Sequence, residues 1–433
     1  MIKIKPAIPK SSTSFTINIA AVLVYLLTIR YLRLHSIDSF WGAIVSIAAL
    51  AITIVILEKV YRGTLHRQSS GIDISKGKPI DVRRVLIKLL GLYATIGLVA
   101  VFYWVFPEYR TGSYRDYFKF TLYLLPLILM GSIPYFFILD RYMKDPYDGH
   151  WHAGMFFIGK WKSIDTWILK NFFLGWLVKV FFLALMFPAL MQNTGFLTGQ
   201  SFSASKENFQ TFYDYMYTLI FSIDLVFVCA GYLLTLKVFD SHMRTVEPSL
   251  FGWIVALQCY QPFWSFTSQN YFNYDDNLFR GHIMSSNYEL YIGYGSIILL
   301  LLLIYTLASV AFGLRFSNLT NRGIITNGPY RWMKHPAYIS KNITWWLISV
   351  PFLSQEGPSE ALRHSLLLLA LNGIYYLRAK TEERHLSLDP VYVKYASSMN
   401  ERSIFSGLYR VLPFLKYNVD QYIKEGKIRK MFF

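Results

Sequence analysis

Apolar residues along this chain gather into long runs separated by short polar stretches. A bilayer core of about 30 Å is crossed by roughly 20 apolar residues, fewer where flanking side chains snorkel. Runs of that kind lie at 15–32, 40–57, 85–106, 117–139, 171–190, 213–236, 250–267, 289–313, 341–355 and 362–379. The pattern predicts an all-α, polytopic transmembrane helical bundle of about ten spans. The first run continues through Arg30 and Arg33 into the second with no small-residue cleavage pattern, so it reads as a retained helix and not a signal peptide.

Composition agrees with the pattern. With 54% hydrophobic residues, only 16% charged and a mean hydropathy of +0.33, a chain of 433 residues has too little polar surface for a soluble globule. Cys229 and Cys259 both fall in apolar runs and read as small apolar side chains, not a disulfide or metal pair. Charge then orients the bundle. If the amino terminus is cytoplasmic, about 34 of the 43 Lys and Arg fall on the cytoplasmic side. Both termini and the loop carrying His335 are therefore expected in the cytoplasm. The net charge of +17 follows from this asymmetry and suits anionic leaflet lipids as partners, with no nucleic acid required.

The connecting segments differ in kind. Residues 58–84 are polar, basic and rich in turn residues, as a cytoplasmic connector would be. Residues 141–170 interleave Trp151, Trp161 and Trp167 with Lys160, Lys162 and Lys170, which predicts a helix lying in the membrane interface. Residues 192–210 and 270–287 read as outside loops. His150 and His152 lack a Cys or acidic partner at ligand spacing and read as structural; no metal is expected. Lys179, Asp214 and Asp224 are ionisable residues at or within spans, where they are costly unless they face a cavity or a partner. Asp224 is the strongest candidate among them for a polar feature without a motif.

Chemistry concentrates near the carboxyl end. Asn327-Gly-Pro-Tyr-Arg-Trp-Met-Lys-His-Pro-Ala-Tyr338 is followed some forty residues later by Arg378-Ala-Lys-Thr-Glu-Glu-Arg-His385. Gly328-Pro329 makes a rigid turn, and Pro336 disfavours helix at His335, so 322–338 reads as an irregular loop entering a helix. Such backbone beside a bilayer is tolerated where it lines a watery cavity, and its free N–H and C=O groups could grip a nucleoside. Arg378 and Glu382, four apart, share a helix face, so a cation and a carboxylate point together from the end of the last span.

This combination, over residues 314–395, resembles the isoprenylcysteine carboxyl methyltransferase family of integral membrane methyltransferases. The resemblance implies S-adenosylmethionine as cofactor, held by Gly323, Ile324, Ile325, Tyr330, His335, Pro336, Ala337, Tyr338 and Glu382. It also implies a catalytic pair of Arg378, facing the substrate, and His335. Two departures stand out: Lys334 replaces the usual Arg before His-Pro, keeping charge but losing a planar fork, and Asp389-Pro390 replaces the usual Phe-Gly before Tyr392 and Tyr395.

The expected organisation is an amino-terminal bundle over 1–287, of unassigned role, and a methyltransferase-like membrane domain over 288–433 with a cytoplasmic tail. The expected reaction is methyl transfer to a lipophilic acceptor: a prenylated carboxylate, a phospholipid or a lipid phosphate. A carboxylate or phosphate is already anionic and needs no base. The alternatives are an NADPH-dependent sterol-reductase-like enzyme, whose family reads Arg-His-x-Asn-Tyr where Lys334-His335-Pro336-Ala337 stands here, and a non-catalytic membrane binder or transporter using Asp224 and Lys179.

Overall fold

Several of the apolar runs begin just after a short polar residue that caps a helix. The computed structural model describes residues 7–75, 77–200, 202, 208–276, 287–418 and 420. Asp38 accepts from the Phe40 amide to start α2 (Ser39–Arg62), Asp81 caps α3 (Val82–Val105), and Asp165 accepts from Trp167 and Ile168 at the head of α6 (Thr166–Gly199). Asn208 caps α7 (Phe209–Leu233). Each such oxygen satisfies an amide that the first helical turn leaves without a partner. With α1 (Phe15–Leu34), α4 (Arg115–Tyr142) and a helix starting at Tyr288, these are seven helices long and apolar enough to cross a membrane, and the chain is an integral membrane helical bundle.

The other three expected spans take different forms. The run 250–267 is split into α8 (Leu250–Leu257) and α9 (Phe263–Asn270), eight residues or about 12 Å each, because Gln258 and the Gln261-Pro262 step interrupt it. α10 is the seventh long helix (Tyr288–Phe312). After it, α11 (Pro336–Ser349) has 14 residues, about 21 Å. α12 (Pro358–Leu386) has 29 and is long enough to span, but Arg363, His364, Asn372 and Arg378 make it less apolar than the seven. The next helix, α13 (Pro390–Arg402), begins at the Asp389 cap.

Two expectations for the connectors change. α6 continues to Gly199, so residues 192–199 of the expected loop 192–210 are helix. The segment 141–170 forms no long interfacial helix: α5 (Gly149–Phe157) has nine residues and buries His152, Ala153, Gly154 and Met155 against α3. Gly91 and Gly154 allow this contact, since a Cβ on either would collide with the other helix's backbone, at the His150 and Ile87 carbonyls. His152 accepts a hydrogen bond from the Asp165 amide at 3.2 Å, a structural task. Trp161 and Trp167 are the exposed tryptophans of the segment. Of the expected loop 270–287, residues 277–286 lie outside the described residues.

The main core is shared by α1, α2, α6 and α7, where Ala21, Tyr25, Leu50, Phe182, Phe187 and Phe227 are fully enclosed. A second apolar cluster joins α7 to α10 through Ile220, Tyr291 and Ile298. α7 therefore has protein on both sides. The basic connectors converge on one face of the bundle: Asp73 donates its amide to Tyr142 O at 2.7 Å, Arg67 pairs with Asp240 at 3.5 Å, and Arg315 pairs with Asp240 at 2.7 Å.

Candidate active site

The polar chain between α10 and α11 is pinned from three sides before it presents any side chain. Gly313, at φ +54°, leaves α10 where a Cβ would meet Asn18 Oδ1 at 2.7 Å, so a side chain here would clash and be strained. Next, β2 (Thr320–Asn321) pairs antiparallel with β1 (Thr245–Val246), bringing 240–260 alongside. The buried Arg322 fork then donates to the carbonyls of Ser241, Gly231 and Phe316, binding the loop to the end of α7. On the third side lies the amino-terminal segment. Ser12 N donates to Ile324 O at 3.0 Å, Thr326 N to Ser11 Oγ at 3.2 Å, Thr326 Oγ1 to Pro9 O at 2.8 Å and Asn327 Nδ2 to Thr13 O at 2.8 Å.

The loop so held forms one wall of an open cavity of about 150 Å³. Gly323, Ile324, Ile325, Tyr330, His335, Ala337, Tyr338, Arg378 and Glu382 all line it; of the residues nominated from sequence only Pro336 does not, being buried as the first residue of α11. Among the described residues, the Ile324 and Ile325 amides make no hydrogen bond, so both remain available as donors. Tyr392 and Tyr395 of α13 add aromatic faces, and the Tyr395 hydroxyl donates to Tyr330 O at 2.8 Å.

The paired glutamates divide. Glu382 faces the cavity and accepts from the Tyr338 hydroxyl at 2.7 Å. Glu383 turns the other way and pairs with two ammonium groups, Lys334 Nζ at 2.7 Å and Lys380 Nζ at 3.1 Å, with His335 Nε2 also 3.1 Å away. Burial works against its ionisation, but the His335 hydrogen bond and the neighbouring charges outweigh that and hold its carboxyl well below the usual range. Lys334 thus does its pairing with a point charge, and its departure from Arg costs the loop no contact to Glu383. His335 stacks on the Tyr338 ring, with centroids 5.6 Å apart. The other departure, Asp389, caps α13 and accepts from Asn321 Nδ2 at 3.1 Å, while Asn321 Oδ1 accepts from the Gly323 amide at 2.8 Å. The Asp-Pro step therefore ties the helix start to the loop.

Arg378 lies one turn further into the helix. It donates to Asn318 Oδ1 at 2.8 Å and to the Tyr260 hydroxyl at 3.2 Å, and its guanidinium sits over the Tyr260 and Tyr338 rings. Lys341 of α11 faces the same cavity, its ammonium 5.1 Å from the Trp345 ring centroid and 5.7 Å from those of Tyr305 and Tyr375. Tyr305 donates to Asp224 Oδ2 at 3.2 Å. On the far wall Glu247 pairs with Arg384 at 2.8 Å. His385 Nε2 lies 2.9 Å from Thr245 Oγ1; burial pushes this imidazole down to about 4 despite the Glu247 charge, so it is neutral at physiological pH.

Tyr260, Asn318, Tyr305, Lys341 and Tyr375 were not nominated from sequence. Lys341 carries a signal that could have found it, a cation inside an apolar helix. Tyr260 and Asn318 carry none, because their place depends on a strand pair and a packing contact distant in sequence. Lys179, by contrast, is absent from the cavity wall and rests over the Trp176 ring at 4.8 Å.

Comparison with known proteins adds one finding. No curated protein and no solved structure matches the chain. Residues 292–388, which run from inside α10 through the pinned loop and α11 to just past α12, match the Isoprenylcysteine carboxyl methyltransferase (ICMT) family, a family of membrane methyltransferases.

Proposed function

We propose that this protein transfers a methyl group from S-adenosylmethionine to a lipophilic acceptor that reaches the cavity through the bilayer. The observation that carries this reading is the convergence of the loop 323–325, Tyr330, His335, Tyr338 and Glu382 on one cavity within the family-matching segment. The donor set fits the cofactor. Free amides at Ile324 and Ile325 suit adenine or carboxylate acceptors, the rings of Tyr330, Tyr392 and Tyr395 suit a purine face, and the Glu382 carboxylate suits a ribose diol or an ammonium. When bound, the cofactor supplies an electrophilic methyl on sulfur; the residues of this chain hold the two reactants in line and exclude water.

In this reading the pinned loop and both termini face the cytosol, where the cofactor is dissolved, and the basic connectors lie against anionic leaflet lipids. Residues 1–287 brace the loop and present the acceptor. Calorimetry with detergent-solubilised protein tests the cofactor: S-adenosylhomocysteine binds and NADPH does not. Binding of NADPH alone would move the protein to the reductase class.

A further inference from the structure

A second cavity lies in the amino-terminal bundle, and of the residues that line it only Leu314 belongs to the family-matching segment. At about 510 Å³ it is larger than the candidate active-site cavity, and within the range of about 300–1,000 Å³ typical of small-molecule sites. It forms because the ends of α2 and α4 lean on different neighbours, α2 on α1 and α7, and α4 on α3. Val55 and Glu58 of α2 face Tyr135, Ile138 and Tyr142 of α4 across the gap, and Leu65 and Ile72 of the connector close its end. The connector is fastened at both sides. Asp73 N donates to Tyr142 O at 2.7 Å, Lys144 N to Gly71 O at 3.0 Å, and Ser69 Oγ to Asp240 Oδ2 at 2.7 Å. The cavity is therefore built into the fold, and its open side is marked by Ile138, which is exposed on α4.

Two enclosed polar groups break the apolar lining. Thr64 follows the left-handed Gly63 cap of α2, is 5% exposed, and its Oγ1 is buried with no hydrogen-bond partner. A hydroxyl left so is costly unless something enters to satisfy it. Glu58 is as deeply buried and makes no hydrogen bond among the described residues. Its charge is already met from behind the wall by Arg62 at 3.7 Å and Arg315 at 4.0 Å, and Lys59, the other charged group of the lining, is exposed. An anionic headgroup would meet the Glu58 carboxylate, and an ammonium would meet the three cations around it. A neutral hydroxyl does neither: it donates to a carboxylate and accepts from a threonine at the same time.

We infer that this cavity binds a neutral lipid alcohol with flexible chains, a diacylglycerol, which enters from the bilayer. Its free hydroxyl sits between Glu58 and Thr64, and its chains lie along Val55 and Leu139 and leave past Ile138 into the membrane. The open side suits chains that bend out of it, whereas a rigid ring system would have to fit wholly inside. The assignment goes beyond the methyl-transfer reading and does not depend on it.

The test uses full-length protein in phosphatidylcholine nanodiscs with a trace of diacylglycerol carrying a diazirine on one chain. Labelled peptides are mapped after illumination. Label is expected within residues 55–65, 135–142 or 238–239, and dioleoylglycerol should compete about tenfold better than its methyl ether, which cannot donate, or than phosphatidic acid. Thr64→Val keeps the shape and should lower labelling about three- to tenfold, and Ile138→Trp, which narrows the open side, should abolish it. Label spread instead over membrane-facing residues such as Ile52, Leu127 and Met130 overturns the inference. So does equal competition by the methyl ether, stronger competition by phosphatidic acid or cholesterol, or wild-type labelling of folded Thr64→Val. If either variant fails to fold, the competition series on the wild-type protein decides by itself.

Discussion

The Tyr338 hydroxyl donates to Glu382 Oε2 across 2.7 Å, joining the first turn of α11 to the last turns of α12 and fixing which way the glutamate faces. It keeps the carboxylate aimed at the cavity while its neighbour Glu383 points away.

Glu382→Gln keeps the shape and the Tyr338 contact but removes the charge. Loss of a charge-assisted hydrogen bond costs on the order of 1.5–3 kcal/mol, or roughly ten- to hundredfold in affinity. S-adenosylhomocysteine binding should weaken by that factor. Arg378→Lys loses the fork that serves Asn318 and Tyr260, so it should leave that binding nearly intact and slow turnover with the lipid. Equal loss of cofactor affinity in both variants would show that the two residues do not divide the work.

Arg322 serves three carbonyls from one guanidinium. Lysine cannot reach all three, so Arg322→Lys should cost on the order of 2 kcal/mol and lower both thermal stability and cofactor affinity, because the loop it anchors is the wall of the cavity. A variant with lowered melting temperature and wild-type affinity would show that the loop holds without it.

At Gly154 an added methyl would collide with the Ile87 carbonyl. Overpacking of that kind costs about 1–3 kcal/mol or more. Gly154→Ala should lower folded yield and melting temperature in detergent. The folded fraction should bind S-adenosylhomocysteine as wild type does, since α5 is remote from the cavity lining.

His385 titrates near 4 when buried and near 6.5 when the chain is unfolded. Between those values the unfolded state holds more protons, so its contribution to stability falls as pH falls from about 6.5 to 4. Glu383 behaves differently: its depressed pKa gives stability that is present above about 4.5 and is lost only below it. Melting temperatures across pH 7 to 4 should decline, and His385→Asn should flatten the upper part of that decline. An unchanged profile in the variant would assign the acid sensitivity elsewhere.

Single cysteines at Ser69 and Gly112, in a background lacking Cys229 and Cys259, report sidedness. The charge distribution predicts labelling of the first from the cytosol and of the second from the opposite side. Labelling of both from one side would break the topology.

Much of this architecture was legible because lipid leaves an apolar run of twenty residues little choice but helix. The break at 258–262 was harder to see, since hydropathy averages over the Gln-Pro step that interrupts 250–267. Gly323, Tyr330, His335, Tyr338 and Glu382 lie on one cavity wall, within reach of sequence reading because a turn and a helix face are set by neighbours in sequence. Asp224 was conspicuous by its cost, yet Tyr305, its partner, reads as ordinary packing among the many aromatic residues of the spans. Tyr260 was invisible for a different reason: only the β1–β2 pairing carries its segment to the site.

The bonds from Pro9, Ser11, Ser12 and Thr13 to residues 311–327 set a schedule for biosynthesis. These partners are separated by about three hundred residues, so at 5–20 residues per second the first waits roughly 15–60 s for the second to leave the ribosome. During that interval seven long helices enter the membrane. A chain halted midway through α10 carries the early half of the clasp and nothing for it to close on, so the cavity comes into being only late in synthesis. Expressed by itself, the stretch 292–388 would lack that clasp altogether.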